Sequence, residues 1–302
     1  MISVVVPIYN SADSIGNCIE SILRQTVEDL ELVLIDDGSA DNTASIIDAY
    51  AEKDHRIRVV HQSNKGRTEA RAEGVRLAQG EWLSFVDSDD MLPADSLALL
   101  FAKASDEVDI VLGNGYSLPN ESRTLIPMTD FRHMAVRADG PIGVPWGSLY
   151  RRSVLTPWLF DIDRHIVNGE DYLFWLRLVF CTDRPVAVVY ESVYDKGPEH
   201  TSNSFKWTAD YCYELNELRT ASIPAAVRED YAEDMLSDRL ANMFAVAIWQ
   251  NRNEWKDARY YQKILTDTKR LQQPLSTRQR LFFALPSLRL RRFYSWISQK
   301  LH

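Results

Sequence analysis

The feature that most constrains this chain is a repeated junction: an apolar strand stops at a short polar segment and gives way to helical periodicity. Residues 2–7 form such a strand, largely β-branched, and residues 11–24 then carry Ile15, Ile19, Ile22 and Leu23 at helical spacing behind Ser11 or Asp13 as N-cap. Leu32-Val33-Leu34-Ile35 is a second apolar strand, closed by Asp36-Asp37-Gly38-Ser39 and followed by a helix marked by Ala44, Ile47, Tyr50 and Ala51. The unit recurs as a strand over 58–61, a helix over 68–79, a strand over 82–86, a helix over 93–103 and a strand over 109–112. Strands without a polar face, alternating with helices, predict an α/β fold whose mostly parallel central sheet is flanked by helices. In such sheets ligands bind beyond the carboxyl ends of the strands. The segments to inspect are therefore 7–10, 36–39 and 87–90.

The alternation stops after residue 112. Residues 115–147 are rich in Gly, Pro and Ser/Thr with little periodicity, and read as a long functional loop or an insertion. Order returns over 144–150, in a helix over 171–180 and in a strand over 186–190. From Trp207 onward the pattern is helical, with Met235, Leu236, Leu240, Met243, Phe244, Ala247 and Ile248 on one core-facing stripe.

Charge and cysteines exclude several classes. The 302 residues carry 34 Lys plus Arg against 43 Asp plus Glu, a net charge of -9, which disfavours general binding to nucleic-acid phosphates. The three cysteines, Cys18, Cys181 and Cys212, are scattered without neighbouring histidines, so neither a disulfide framework nor a zinc site is indicated, and a reducing cytoplasm fits. No basic, apolar leader and no membrane-length apolar stretch is present, so neither signal-directed export nor membrane insertion is expected. The charge is uneven. Residues 276–302 hold six basic side chains (Arg278, Arg280, Arg289, Arg291, Arg292, Lys300) and no acid, interleaved with Leu281, Phe282, Phe283, Leu285, Leu288, Phe293, Trp296 and Ile297. That composition suits a segment lying on an anionic membrane surface, or a terminal helix packed on the domain with its arginines outward.

Neither the dinucleotide glycine fingerprint nor a P-loop follows the first strand, so dehydrogenase and P-loop kinase readings lose their main support. Asp87-Ser88-Asp89 could offer carboxylates to a hard divalent cation that also binds phosphates. A second Asp-x-Asp occurs at Asp161-Ile162-Asp163, so position decides, and only the first directly follows a buried-looking strand.

Taken together, Val4-Val5-Val6-Pro7-Ile8-Tyr9-Asn10, Ile35-Asp36-Asp37-Gly38-Ser39, Asn64-Lys65-Gly66, Ala70-Arg71, Gly80-Glu81-Trp82, Phe85-Val86-Asp87-Ser88-Asp89-Asp90 and Gly169-Glu170-Asp171 resemble the motifs of family-two glycosyltransferases in order and spacing. The resemblance covers residues 1–200. It implies a GT-A fold, Rossmann-like, with a C-terminal helical extension, a nucleotide-sugar donor, Mn2+ or Mg2+, and inversion at the anomeric carbon. It also implies a division into a nucleotide-sugar-binding half (1–115), an acceptor-binding half with the catalytic base (116–205), and a helical C-terminal region with a basic tail (206–302).

Residue by residue, the resemblance implies that Pro7 and Tyr9 line the base and ribose pocket and that Asp37 accepts from the base. Asp36 would be a structural neighbour. Arg71 would sit near the base or phosphates, Asp87 and Ser88 on the nucleotide, Asp87 on ribose or the metal. Asp89 would be the principal metal ligand, Asp90 a helix-capping carboxylate, and His200 a metal or diphosphate contact. Asp171 would be the catalytic base, with Glu170 its alternative. Ala72 stands where relatives often carry Asn. A carboxylate that accepts the acceptor hydroxyl's proton during direct displacement, opposite a cation that steadies the departing diphosphate, gives inversion. The expected function is transfer of a sugar, first from a UDP-sugar, to a glycan or lipid-linked acceptor in bacterial surface polysaccharide synthesis, in the cytoplasm or at the membrane's cytoplasmic face. Two rivals stand: a metal-dependent nucleotidyltransferase, which would carry a Gly-rich basic loop where Pro7-Ile8-Tyr9-Asn10 stands, and a non-catalytic glycan- or partner-binding module on the same fold.

Overall fold

The computed structural model describes residues 1–113, 123–138, 144–197 and 207–292, except 250–254, 256, 257, 286 and 288. The chain divides into two compact units, one of Met1–Ala135 with Asp139–His200 and one of Val136–Ala138 with Thr201–His302.

The first unit is built on an eight-stranded sheet. Its elements are β1 (Ile2–Ile8), α1 (Ile15–Leu23), β2 (Leu30–Asp36), α2 (Thr43–Ala51), β3 (Ile57–His61), α3 (Arg67–Leu77), β4 (Trp82–Phe85), α4 (Ser96–Phe101), β5 (Ile110–Leu112), β6 (Leu125–Ile126), α5 (Met128–Arg137), β7 (Ser148–Arg151), α6 (Glu170–Leu178) and β8 (Val186–Val188). The strand order is β3-β2-β1-β4-β7-β5-β8-β6. β1 to β4 are mutually parallel, β7 is antiparallel to both its neighbours, β8 is parallel to β5, and β6 is antiparallel to β8. Val4, Val6, Ile8, Leu32 and Leu34 face Ile15, Ile19 and Ile22 in one buried cluster, so the apolar runs are explained by cover on both faces.

The order reverses between β1 and β4, which opens a crevice beyond their carboxyl ends. Pro7 marks that place. Val5 O accepts from Val86 N on the β4 side and Ile8 O accepts from Asp37 N on the β2 side. By strand alternation Pro7 faces β4, whose pairing ends at Val5–Phe85, so its missing N–H breaks no rung.

Residues 115–147, expected as a long loop or an insertion, supply β6, α5 and the entry to β7, so the loop alternative fails. β6 has only two residues, too few for periodicity to register, and α5 buries Phe131, Ala135 and Val136 between Arg132, His133 and Arg137. The antiparallel direction of β7 was not legible either, because side-chain alternation carries no sense of direction.

The second unit contains α7 (Ala209–Ser222), α8 (Ala232–Trp249), α9 (Arg259–Arg270) and α10 (Thr277–Ala284). Leu236, Met243, Val246, Ala247, Trp255, Tyr260, Ile264, Phe282 and Phe283 are among its core residues, with Leu240, Phe244 and Ile248 packed against them, as the α8 stripe predicts except at half-buried Met235. Buried ion pairs cross this core: Arg219 with Asp238 at 2.6 Å, and Arg239 with Asp267. Two tail arginines turn inward. Arg291 donates to Ala247 O at 2.6 Å and Leu285 O at 3.0 Å, and Arg292 donates to Ile248 O at 3.0 Å. They thereby satisfy carbonyls in the last turn of α8 that helix geometry leaves unpaired. Among the described residues no helix is long and apolar enough to cross a membrane.

Candidate active site

The strand ends of the first unit gather the polar segments. After β1 the chain turns sharply: Asn10 has φ +50°, the Asn10 side chain accepts from Ala40 N at 2.8 Å, and Asn10 N donates to Ser39 Oγ at 2.9 Å. This ties the β1 exit to the β2 exit. Tyr9, at 52% exposed, presents its ring to solvent, while Pro7 is buried within β1.

Asp36 and Asp37 are both buried and differ in task. Asp36 Oδ1 accepts from Ser39 N at 3.0 Å and its Oδ2 meets His61 Nδ1 at 2.9 Å. Burial opposes ionisation of Asp36, but the hydrogen bonds from Ser39 and His61 outweigh it and hold the carboxyl below its ordinary range. Asp37 accepts from Gln62 Nε2 at 2.7 Å, Lys65 N at 2.8 Å and Gly66 N at 2.7 Å. The carboxylate expected to meet the base thus also shapes the 62–66 loop, leaving one of its roughly four acceptor directions for a ligand.

At the end of β4, Asp87, Ser88, Asp89 and Asp90 point to different partners. Ser88 Oγ is 2.7 Å from Ser11 Oγ, and Ser88 O accepts from Ser14 Oγ at 3.0 Å, which fastens the segment to the turn before α1. Asp90 was expected to cap a helix. Instead its carboxylate accepts from Tyr194 Oη at 2.7 Å and Gly197 N at 2.7 Å, and Asp95 stands at the N-cap of α4. Burial holds Asp90 above the usual carboxylate range against those two hydrogen bonds. Tyr194 also accepts from Asp87 N at 3.0 Å and stacks on Trp146 with ring centroids 4.3 Å apart. Burial, reinforced by the charges of Asp90, Asp87 and Asp89, pushes the Cys18 thiol up and removes it as a nucleophile.

Arg71, on α3, is 3% exposed. Its Nη1 donates to Asp171 Oδ1 at 2.5 Å and its Nη2 to Asp87 Oδ1 at 3.0 Å. Expected near the base or phosphates, it bridges two carboxylates, one from the end of β4 and one from the start of α6. α6 begins after Gly169, whose φ of +102° lets the chain turn abruptly into the helix. Glu170 and Asp171 therefore occupy its first turn, where the helix dipole favours negative charge. Glu170 nevertheless is pushed up to about 7, first by burial and then by the charge of Asp171, with Arg67 3.8 Å away as partial compensation.

The structure thus brings Arg71, Asp87 and Asp171 together, with Glu170 next to Asp171 and Asp89 two residues after Asp87 in sequence, and Tyr9, Asp37 and Ser88 at strand exits. His200 lies outside the described residues. The other Asp-x-Asp, Asp161 and Asp163, is exposed, and Asp163 pairs with His165 at 2.7 Å. Gln62, Arg67 and Tyr194 were missed; Tyr194 lies 107 positions from Asp87, and no local spacing reports that contact. Among the described residues no group of three or more His, Cys, Asp or Glu side chains is arranged to hold a metal. Asp87 and Asp89, at the end of β4, are the donor type that a hard cation such as magnesium or manganese takes together with substrate phosphates and water.

Residues 3–159 match the family described as "Glycosyl transferase family 2". Glycosyltransferase GlyG of Streptococcus pneumoniae is 43% identical over 119 residues, 39% of this chain and 40% of that protein. The chain spans 35% to 59% of the length of four curated relatives it matches. Among solved structures, S. aureus TarS 1-349 in complex with UDP-GlcNAc superposes with a TM-score of 0.63 at 21% identity, covering 91% of this chain and 93% of that one. The mannosyltransferase PcManGT of Pyrobaculum calidifontis, in complex with GDP-Man and Mn2+, gives 0.56 at 19% identity over 97% and 84%. At these identities the two structures establish the shared fold, the mostly parallel GT-A sheet flanked by helices.

Proposed function

Because the chain belongs to glycosyl transferase family 2, we propose that it transfers a sugar from a nucleotide-sugar, first a UDP-sugar, to a hydroxyl of a glycan or lipid-linked acceptor, with inversion, in bacterial surface polysaccharide synthesis. The observation that carries the reading is one guanidinium, Arg71, holding carboxylates from the end of β4 and the start of α6 beside the β1–β4 crevice. The bound nucleotides named for TarS and PcManGT support a donor of this class.

In this reading Tyr9 stacks on the base, Asp37 accepts from it, and Asp87 and Ser88 meet the ribose side. Asp89, with His200, would hold Mn2+ or Mg2+, which when bound neutralises charge on the departing diphosphate. Asp171 takes the proton of the attacking hydroxyl, a transfer worth typically 10²–10⁴-fold in rate, roughly. Glu170 lies one residue away as the alternative acceptor.

We extend the reading to the tail. With Arg291 and Arg292 engaged internally, membrane contact would rest on exposed Arg278, Arg280 and Arg289 together with Leu281 and Leu290, at 57% and 47% exposed. Such docking suits a lipid-linked acceptor. Co-flotation with vesicles containing phosphatidylglycerol but not with pure phosphatidylcholine, lost when the three arginines become Gln, is expected; equal flotation with both would refute it.

The deciding experiment for transfer is thermal shift with nucleoside diphosphates, with and without Mn2+. Stabilisation by UDP that needs Mn2+ and disappears in Asp89→Ala is expected. Indifference to every nucleoside diphosphate would favour the non-catalytic module, and pyrophosphate release from a nucleoside triphosphate plus sugar phosphate would favour the nucleotidyltransferase.

A further inference from the structure

We propose that Arg71 is a positioning residue that sets the orientation of Asp171 from the end of β4. This rests on the reading of Asp171 as the group that accepts the acceptor's proton.

The guanidinium reaches Asp171 Oδ1 through Nη1 at 2.5 Å and Asp87 Oδ1 through Nη2 at 3.0 Å, while its Nε is buried with no hydrogen-bond partner among the described residues. The direction of the fork is therefore set by the two carboxylates and by the anchoring of α3. That anchoring is firm: Ala70 and Gly74 are buried on the same helix, and Gly74 lies directly against Val5 of β1. Asp171 lies at the first turn of α6, with its Oδ1 held by Arg71, and keeps 17% of its side chain exposed. A planar fork fixes two carboxylates in one geometry, which an ammonium on a flexible stem does not. A base displaced by about 1 Å loses on the order of 10² in rate. Since Asp87 shares the guanidinium and lies two residues before Asp89, the donor side and the acceptor side of the crevice take their spacing from one side chain.

The test uses the full chain, Mn2+, and nucleoside diphosphate release from a panel of UDP-glucose, UDP-galactose, UDP-GlcNAc, UDP-GalNAc and GDP-mannose, with the most active donor carried forward. Arg71→Gln is expected to lower kcat about 10²-fold with KM for the donor within about threefold, and Arg71→Lys to recover about tenfold of that loss. Parental kcat in Arg71→Gln overturns the proposal. So does a rise in donor KM that accounts for the whole loss and is not relieved by Lys, which would make Arg71 a nucleotide contact. Should Arg71→Gln not fold, Arg71→Lys decides alone: reduced kcat at unchanged KM supports positioning, and parental kcat overturns it. Asp171→Asn separates the two readings. If it turns over at the parental rate, Asp171 is not the base; if it is inactive while Arg71→Gln is fully active, the base stands and the positioning role falls.

Discussion

The Tyr194 hydroxyl donates to Asp90 Oδ2 at 2.7 Å while accepting from Asp87 N at 3.0 Å, so one phenol joins the backbone of the first Asp of the β4 exit to the side chain of the last. Tyr194→Phe keeps the ring that stacks on Trp146 and removes only this link. The Asp87 N–H and a buried carboxylate oxygen then lose their partner, which costs about 1–3 kcal/mol. Urea unfolding should show that loss, and UDP-dependent stabilisation should shrink with it. Unchanged stability would mean that water replaces the phenol at no cost.

Glu170 predicts a pH signature. Burial and then the charge of Asp171 push it up to about 7. A carboxyl raised in the folded state keeps its proton where the unfolded chain has lost it, so its favourable contribution is complete at low pH and disappears as pH rises through about 7. Glu170→Gln should therefore melt above the parent at about pH 8.5 and close to it at about pH 4.5. A melting-temperature difference that does not vary with pH would contradict this.

His61 follows the same pH direction, but its variant shows a loss at low pH where the Glu170 variant shows a gain at high pH. It touches Asp36 Oδ2 at 2.9 Å and Asp48 Oδ1 at 3.1 Å, and the hydrogen bond to Asp36, against some desolvation and helped by Asp48, raises its affinity for a proton. A raised histidine stabilises the fold below its unfolded value of about 6.5 and loses that effect as pH rises through the folded value. His61→Gln should therefore lower the melting temperature more at about pH 6 than at about pH 9. With the ring 44% exposed, solvent screening keeps the effect small.

Helix α3 predicts a packing effect. A Cβ on Gly74 would come 2.2 Å from Val5 Cγ1, inside a fully buried strand. Gly74→Ala should destabilise by about 1–3 kcal/mol despite alanine's better helix propensity. Adding Val5→Ala should recover part of the loss, because the second change removes the obstructing methyl groups. Additive losses in the double variant would locate the strain elsewhere.

What could be read in advance was the half of the sheet in which pattern and burial coincide. β1, β2 and β4 are buried almost throughout, and Asp36-Asp37-Gly38-Ser39 and Asp87 to Asp90 follow where β2 and β4 end. Beyond β5 the chain relies on short strands and on contacts between residues about 100 positions apart, such as Arg71 with Asp171 and Asp90 with Tyr194. No local spacing reports such contacts. Asp90 looked like a cap because an acid before a helix usually is one, and tertiary donors outcompeted that role. The tail misled in part for the same reason: Arg291 is cationic in sequence, yet in the fold it closes carbonyls at the end of α8.

Pro7 has a further consequence. A residue with an N–H at this point could lace the next rung to its neighbour and sew the two central strands shut for another step. The ring acts as a stitch-stop that sets how deep the slot between them can be. Swapping it for valine would then be a way to alter the reach of the slot without touching any charged group.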